Sequence, residues 1–175
     1  MSVKEEKIQI AAFSTIDVIK EQEAIINMFL ENNDHIIIKK TLGSIAFETT
    51  LTEMEGPQLI MIVSILFLRR EYSGIKDVNC YILFIELEKE ESKEKLEVIL
   101  KYAKKHCDLT RKIYVLGIVS GIEKTKHMTK EDITKIFDSE NATYEYKEIN
   151  LSKPIEVSDT FKEIFIYSTT HLIGY

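Results

Sequence analysis

The sequence predicts a three-layer α/β domain on a mostly parallel six-stranded sheet, with one antiparallel strand near an edge. Three observations carry this. The segments 60–66, 81–86 and 113–117 are continuously apolar, as strands covered on both faces are. From residue 78 onward such runs alternate with helical periodicity, and crossovers of that length favour right-handed parallel connections. The chain has 175 residues, 45% hydrophobic and 30% charged, which suits a single domain with its own core. With no internal repeat or linker, the whole of 1–175 reads as one domain.

Ile8–Phe13 is the first strand. Between 15 and 31, Ile16, Ile19, Ile25, Ile26, Phe29 and Leu30 have the spacing of an amphipathic helix. Ser14 or Thr15 is placed to cap it, Asp17 lies in its first turn, and Asn32-Asn33-Asp34 stops it. Ile36–Lys39 begins a β-rich stretch and leaves two readings open. It is an edge strand able to pair with a partner, or it is buried. Ile45–Leu51 alternates through Phe47, Thr49 and Leu51, turns at Glu55-Gly56-Pro57 and returns as Leu59–Leu68.

Val78–Leu87 is a further buried strand, and Lys89–Lys105 a helix with Glu/Lys pairs near i,i+4. Lys112–Val119 is a strand. Thr129 and Asp132 form a capping arrangement for a helix through Phe137. Tyr144–Ile149 is a strand, and Ser158–Thr170 the last helix. The order reads β-α-β-β-(α)-β-α-β-α-β-α.

The net charge of −6 and the presence of only three arginines, Arg69, Arg70 and Arg111, exclude a nucleic-acid binder. Cys80 and Cys107 form no metal or disulfide pattern, which fits a reducing compartment. The longest apolar run, Leu59–Leu68, is half the ~20 residues of a membrane span. The first residues lack a signal-peptide core, Ser2 stands where myristoylation needs glycine, and the last residues carry no prenylation cysteine. A cytoplasmic protein without a membrane anchor is expected.

Candidate chemistry is sparse. His35, His127 and His171 lack partners at ligand spacing. His106-Cys107-Asp108 suggests an activated thiol, but a helix C-terminus raises a thiol's pKa, and a packed cysteine is favoured. Glu86, Glu88, Glu90 and Glu91 suggest an acid/base pair or cation site, against the favoured reading of a solvated helix start. No metal and no cofactor are expected.

Several segments, in order and spacing, carry a resemblance. Thr41-Leu42-Gly43 sits between the first helix and the hairpin. Arg70-Glu71-Tyr72 follows the hairpin. Cys80–Leu87 runs into Glu90-Glu91-Ser92, Lys112–Gly117 is followed by a loop, and Glu148, Val157 and Phe161 close the pattern. Over about 160 residues the chain resembles the Ras/Rab-like small GTPases. Thr41-Leu42-Gly43 is similar to their first switch.

The family's nucleotide motifs are degraded. Its phosphate loop is G-x-x-x-x-G-K-[ST]. The matching stretch here runs from Ala12 through Asp17 to Lys20 without a glycine, and the first 42 residues contain none. Asp17 stands where phosphate charge would collect. Asp-x-x-Gly falls at Ile65 and Leu68. Asn-Lys-x-Asp falls at Ile118, Val119, Ser120 and Gly121, with Glu123 two positions late, and Ser-Ala-Lys becomes Asn150-Leu151-Ser152.

The resemblance therefore implies P-loop NTPase topology without the P-loop: a pseudo-GTPase. The implied function is a protein–protein interaction module, a subunit of a traffic, ciliary or cytoskeletal assembly, with proteins as partners and nucleotide not expected. Its implied contact residues are Thr41, Ile45, Phe47, Leu66, Phe67, Leu68, Arg69, Arg70 and Tyr72. Leu66–Leu68 is equally a plain continuation of the strand. The alternatives are a divergent GTPase, with Thr41 at Mg²⁺, and a small α/β enzyme using Cys107 or the 86–91 acidic loop.

Overall fold

The computed structural model describes residues 4–52, 58–68, 77–121 and 124–170. Seven strands are present: β1 (Lys4–Ser14), β2 (His35–Thr41), β3 (Ser44–Thr52), β4 (Gln58–Phe67), β5 (Cys80–Glu86), β6 (Lys112–Val119) and β7 (Glu145–Asn150). Four helices accompany them: α1 (Ile19–Glu31), α2 (Ser92–His106), α3 (Lys130–Ser139) and α4 (Pro154–Thr170). The strands form one sheet in the order β2-β3-β4-β1-β5-β6-β7. β1 pairs in parallel with β4 and β5, and β6 with β5 and β7. β3 is antiparallel to both β2 and β4, so it alone among these strands opposes the common direction.

The sheet has seven strands where the sequence predicts six, and the difference is β2. The predicted antiparallel strand is β3, one place in from the edge. The bracketed helix after the hairpin, and the turn at Glu55-Gly56-Pro57, lie outside the described residues.

A parallel sheet needs cover on both faces, and the helices divide accordingly. α1 and α4 pack on one face, against Ile8, Ile10 and Ala12 of β1 and Val63, Ile65 and Phe67 of β4. α2 and α3 pack on the other, against Ala11, Leu83, Ile85, Ile113 and Val115. The period-2 alternation of β1 thus feeds two separate cores. The first core turns on aromatic contacts. Phe29 of α1 meets Phe165 of α4 edge-on, with centroids 5.1 Å apart and planes at 86°, and meets Phe47 of β3 at 5.8 Å. Such geometry favours the ring quadrupoles beyond area burial alone.

Local signals hold in part. Thr129 and Asp132 form the predicted capping box of α3: Asp132 N donates to Thr129 Oγ1 at 3.2 Å, and Thr129 N donates to the Asp132 carboxylate at 3.0 Å. Those bonds hold the Asp132 carboxyl below its ordinary value. α2 ends in Lys104, Lys105 and His106, which complement the negative end of its dipole. α4 begins four residues before the predicted Ser158, at Pro154. Proline suits a first helical position because its absent N–H would find no helical partner.

α1 departs from expectation. It starts at Ile19, with Val18 at the N-cap and no side-chain cap. β1 continues through Ser14 in register with Phe84, so Ser14 and Thr15 are not at the helix start. Gly43 closes the two-residue turn between β2 and β3 at φ +91°, a conformation that costs glycine little.

Phe29→Ala should remove the aromatic centre that joins α1, α4 and β3. The expected loss is about 3–5 kcal/mol, read by urea unfolding.

Candidate functional site

In a sheet covered by helices on both faces, ligands collect at the C-terminal ends of strands where successive crossovers leave on opposite faces. Here that point lies between β1 and β5. β1 leads to α1 on one face, and β5 leads to α2 on the other. The turn 15–18 stands where a phosphate loop would stand.

Thr15 opens this turn and is 1% exposed. Its N–H donates to Phe84 O at 2.9 Å, and its Oγ1 accepts from Glu86 N at 2.9 Å. Ser92 Oγ donates to the same hydroxyl at 3.4 Å, and Lys95 Nζ donates to Thr15 O at 3.4 Å. The next amide, Ile16 N, donates to Ser14 Oγ at 2.9 Å. Gln22 Nε2 donates to Ile16 O at 2.7 Å. A phosphate-binding loop needs backbone N–H groups turned toward the ligand. The amides of Thr15 and Ile16 are turned into the protein instead.

The same stitching continues around the crevice. Ser120 N donates to Glu88 Oε1 at 3.2 Å, and His127 N donates to Leu87 O at 2.8 Å. Leu151 N donates to Val119 O at 2.9 Å. Gly121 stands at φ +86°, where an added Cβ would lie 2.4 Å from Ser152 Cβ. Ser152 itself donates from N and Oγ to Asn150 Oδ1 at 2.9 and 2.7 Å. The loops that follow β6 and β7 are thus closed on each other.

The charge is wrong for a polyphosphate as well. Lys95 makes its shortest ion pair with Asp17, at 2.7 Å, and a longer one with Glu91 at 3.7 Å. The Asp17 hydrogen bond raises the pKa of Lys95 above its ordinary value. Burial pushes the Glu86 carboxyl up, and the neighbouring Glu21 and Glu91 push the same way against Lys89 and Lys95. An entering phosphate would meet four carboxyl groups around two lysines.

The residues marked from sequence are dispersed by the fold. Ala12 is buried within β1, not in a loop, and Ile65 is buried in β4. Leu68 is half-buried, its N–H donating to Ala12 O at 2.7 Å. Ile118 is buried in β6, with Val119 half-buried at its end. Thr41 ends β2, where its Oγ1 lies 2.5 Å from Ser44 Oγ. Among the described residues, no group of three or more His, Cys, Asp or Glu side chains could hold a metal ion.

The predicted contact surface is thinner than expected. Ile45, Phe47 and Phe67 are 2%, 0% and 1% exposed, so their side chains belong to the core and offer a partner nothing. Leu66 is half-buried and Thr41 exposed. Arg69, Arg70 and Tyr72 lie outside the described residues, as do Glu123 and His171. Leu42, within the Thr41-Leu42-Gly43 segment singled out from the sequence, is 71% exposed at the tip of the β2–β3 turn. Its place before a turn glycine was the available signal.

Burial raises the Cys107 thiol, and it pushes Cys80 up to about 11. Neither is a ready thiolate near neutral pH. No helix among the described residues is long and apolar enough to cross a membrane. In comparisons with known proteins, no family model and no curated protein matches this chain.

Thr15→Val keeps the shape of the side chain and removes the acceptor of Glu86 N–H. It should cost about 1–3 kcal/mol in urea unfolding and speed deuterium exchange at the Glu86 amide. Glu86 has a raised folded-state pKa, so its stability contribution is greatest in acid and declines as pH rises through that value. Glu86→Gln should therefore raise the melting temperature at about pH 7 and leave it nearly unchanged near pH 3.

Proposed function

We propose that the chain is a non-catalytic, small-GTPase-like domain acting as a protein–protein interaction module. In this reading it is a structural subunit of a larger cytoplasmic assembly, in a traffic, ciliary or cytoskeletal setting. The observation that carries the reading is the inward-turned β1–α1 segment. The amides of Thr15 and Ile16, which would cradle phosphate, have protein partners.

Other features support it. The order β3-β4-β1-β5-β6-β7, with β3 antiparallel, is compatible with the sequence resemblance to small GTPases. The β2–β3 hairpin ties the segment resembling a first switch into the sheet, where a nucleotide-driven loop would have to move. The exposed apolar residues Ile36, Ile38 and Leu42 gather on that hairpin, 64%, 54% and 71% exposed. Surfaces of this kind mark interaction sites when they are contiguous.

Isothermal titration with GTP and with GDP, each with and without Mg²⁺, tests this. No saturable heat is expected. Micromolar binding of either nucleotide would overturn the reading in favour of a divergent GTPase.

A further inference from the structure

We infer that the free edge of β2 binds an extended, acidic segment of another protein by adding it to the sheet as an antiparallel strand. The inference rests on the reading of the chain as an interaction module. It is independent of the question of residual nucleotide binding.

β2 ends the sheet, and all seven of its residues, His35–Thr41, are exposed. One side of its backbone pairs with β3. The other side presents N–H and C=O groups to solvent, which is the template that strand addition uses. Three consecutive isoleucines lie along it: Ile36, Ile37 and Ile38 are 64%, 42% and 54% exposed. β-branched side chains gain most when a cross-strand neighbour packs beside them.

The charges select the occupant. Lys39 and Lys40 follow the isoleucines in a chain of net charge −6. Lys40 Nζ has Glu23 at 3.9 Å, a long pair whose lysine side chain stays 47% exposed, and Lys39 has no ion-pair partner among the described residues. At the opposite end, Glu48 stands across from Ile36. A partner strand therefore places its acidic residues beside Lys39 and Lys40 and its apolar residues beside Ile36–Ile38. In antiparallel orientation it reads acidic first, then β-branched.

A second copy of this chain fits less well. Antiparallel self-pairing of β2 would gather four lysines in one ribbon, and the register shift between Ile37 and Lys39 interrupts a long self-complementary ladder. Lysine and bulges are devices that protect an edge from like strands. They leave it open to an acidic one.

The test is fluorescence polarisation of the whole chain with a labelled peptide of roughly ten residues. The peptide carries two glutamates N-terminal to a Val/Ile run. The expected result is saturable binding, with amides 35–41 protected from deuterium exchange. Lys39→Glu with Lys40→Glu should weaken it about tenfold or more, and a peptide with lysines in place of the glutamates should bind that variant again. Lys39→Gln with Lys40→Gln, a milder change, should give an intermediate loss, and melting curves check that both variants fold.

Equal binding of the lysine peptide to the unaltered chain would overturn the inference, as would protection outside β2. So would sedimentation of the chain alone as a dimer that Ile37→Lys dissolves, since the occupant would then be a second copy. Nucleotide binding would overturn the non-catalytic part of the proposed function and leave the interaction role, and strand addition with it, standing. Failure of the peptide would do the reverse.

Discussion

A buried backbone N–H must find a partner, and the buried start of the turn between β1 and α1, Thr15 and Ile16, is the place where that demand decides most about this protein. In a nucleotide-binding fold the partner is the ligand. Here Thr15 turns its amide to Phe84 and its hydroxyl to Glu86 N–H, so β1, β5 and α2 are joined at the sheet's switch point from within. The start of α1 follows from this. With Thr15 drawn toward β5, the helix begins at Ile19 with no side-chain cap. Its stability must then come from packing, through Phe29 against Phe165 and Phe47.

The two ends of the hairpin region complete the picture. A crevice in which the Thr15 and Ile16 amides have protein partners and whose rim is acidic has little to offer a phosphate. Uncommitted hydrogen-bonding capacity lies at the edges of the sheet, and along β2 the backbone meets water beside three isoleucines and two lysines. The first site would be a pocket for a small anion, and the second is a line suited to another polypeptide.

Much of the fold was legible in the sequence. The apolar runs of β4, β5 and β6 are long enough, and the helical periodicity between them clear enough, to predict an α/β sheet with one opposing strand. The capping box of α3 was legible because all of its atoms lie within four residues. The seventh strand was legible as one of the two readings of Ile36–Lys39, an edge strand, and its place at the end of the sheet bears that reading out. His35–Thr41 is exposed along its whole length, so its isoleucines carry no signature of a buried face, and only pairing with β3 makes it a strand. Three of the predicted contact residues, Ile45, Phe47 and Phe67, lie in the core. Phe47 and Phe67 read as an apolar surface in one dimension, and alternation within the sheet turns both toward α1 and α4.

The candidate site divides along the same line. The sequence by itself determined that the first turn holds no glycine and that the chain has no basic balance. Composition and spacing suffice for that, because a phosphate loop has obligatory residues at obligatory positions. What occupies the vacant role was decided by tertiary structure. Thr15 and Glu86 are 71 residues apart, and nothing local distinguishes a threonine that caps its own helix from one that holds a distant strand. The hydroxyl satisfies whichever N–H the fold brings to it, and here the register of β1 against β5 brings Glu86.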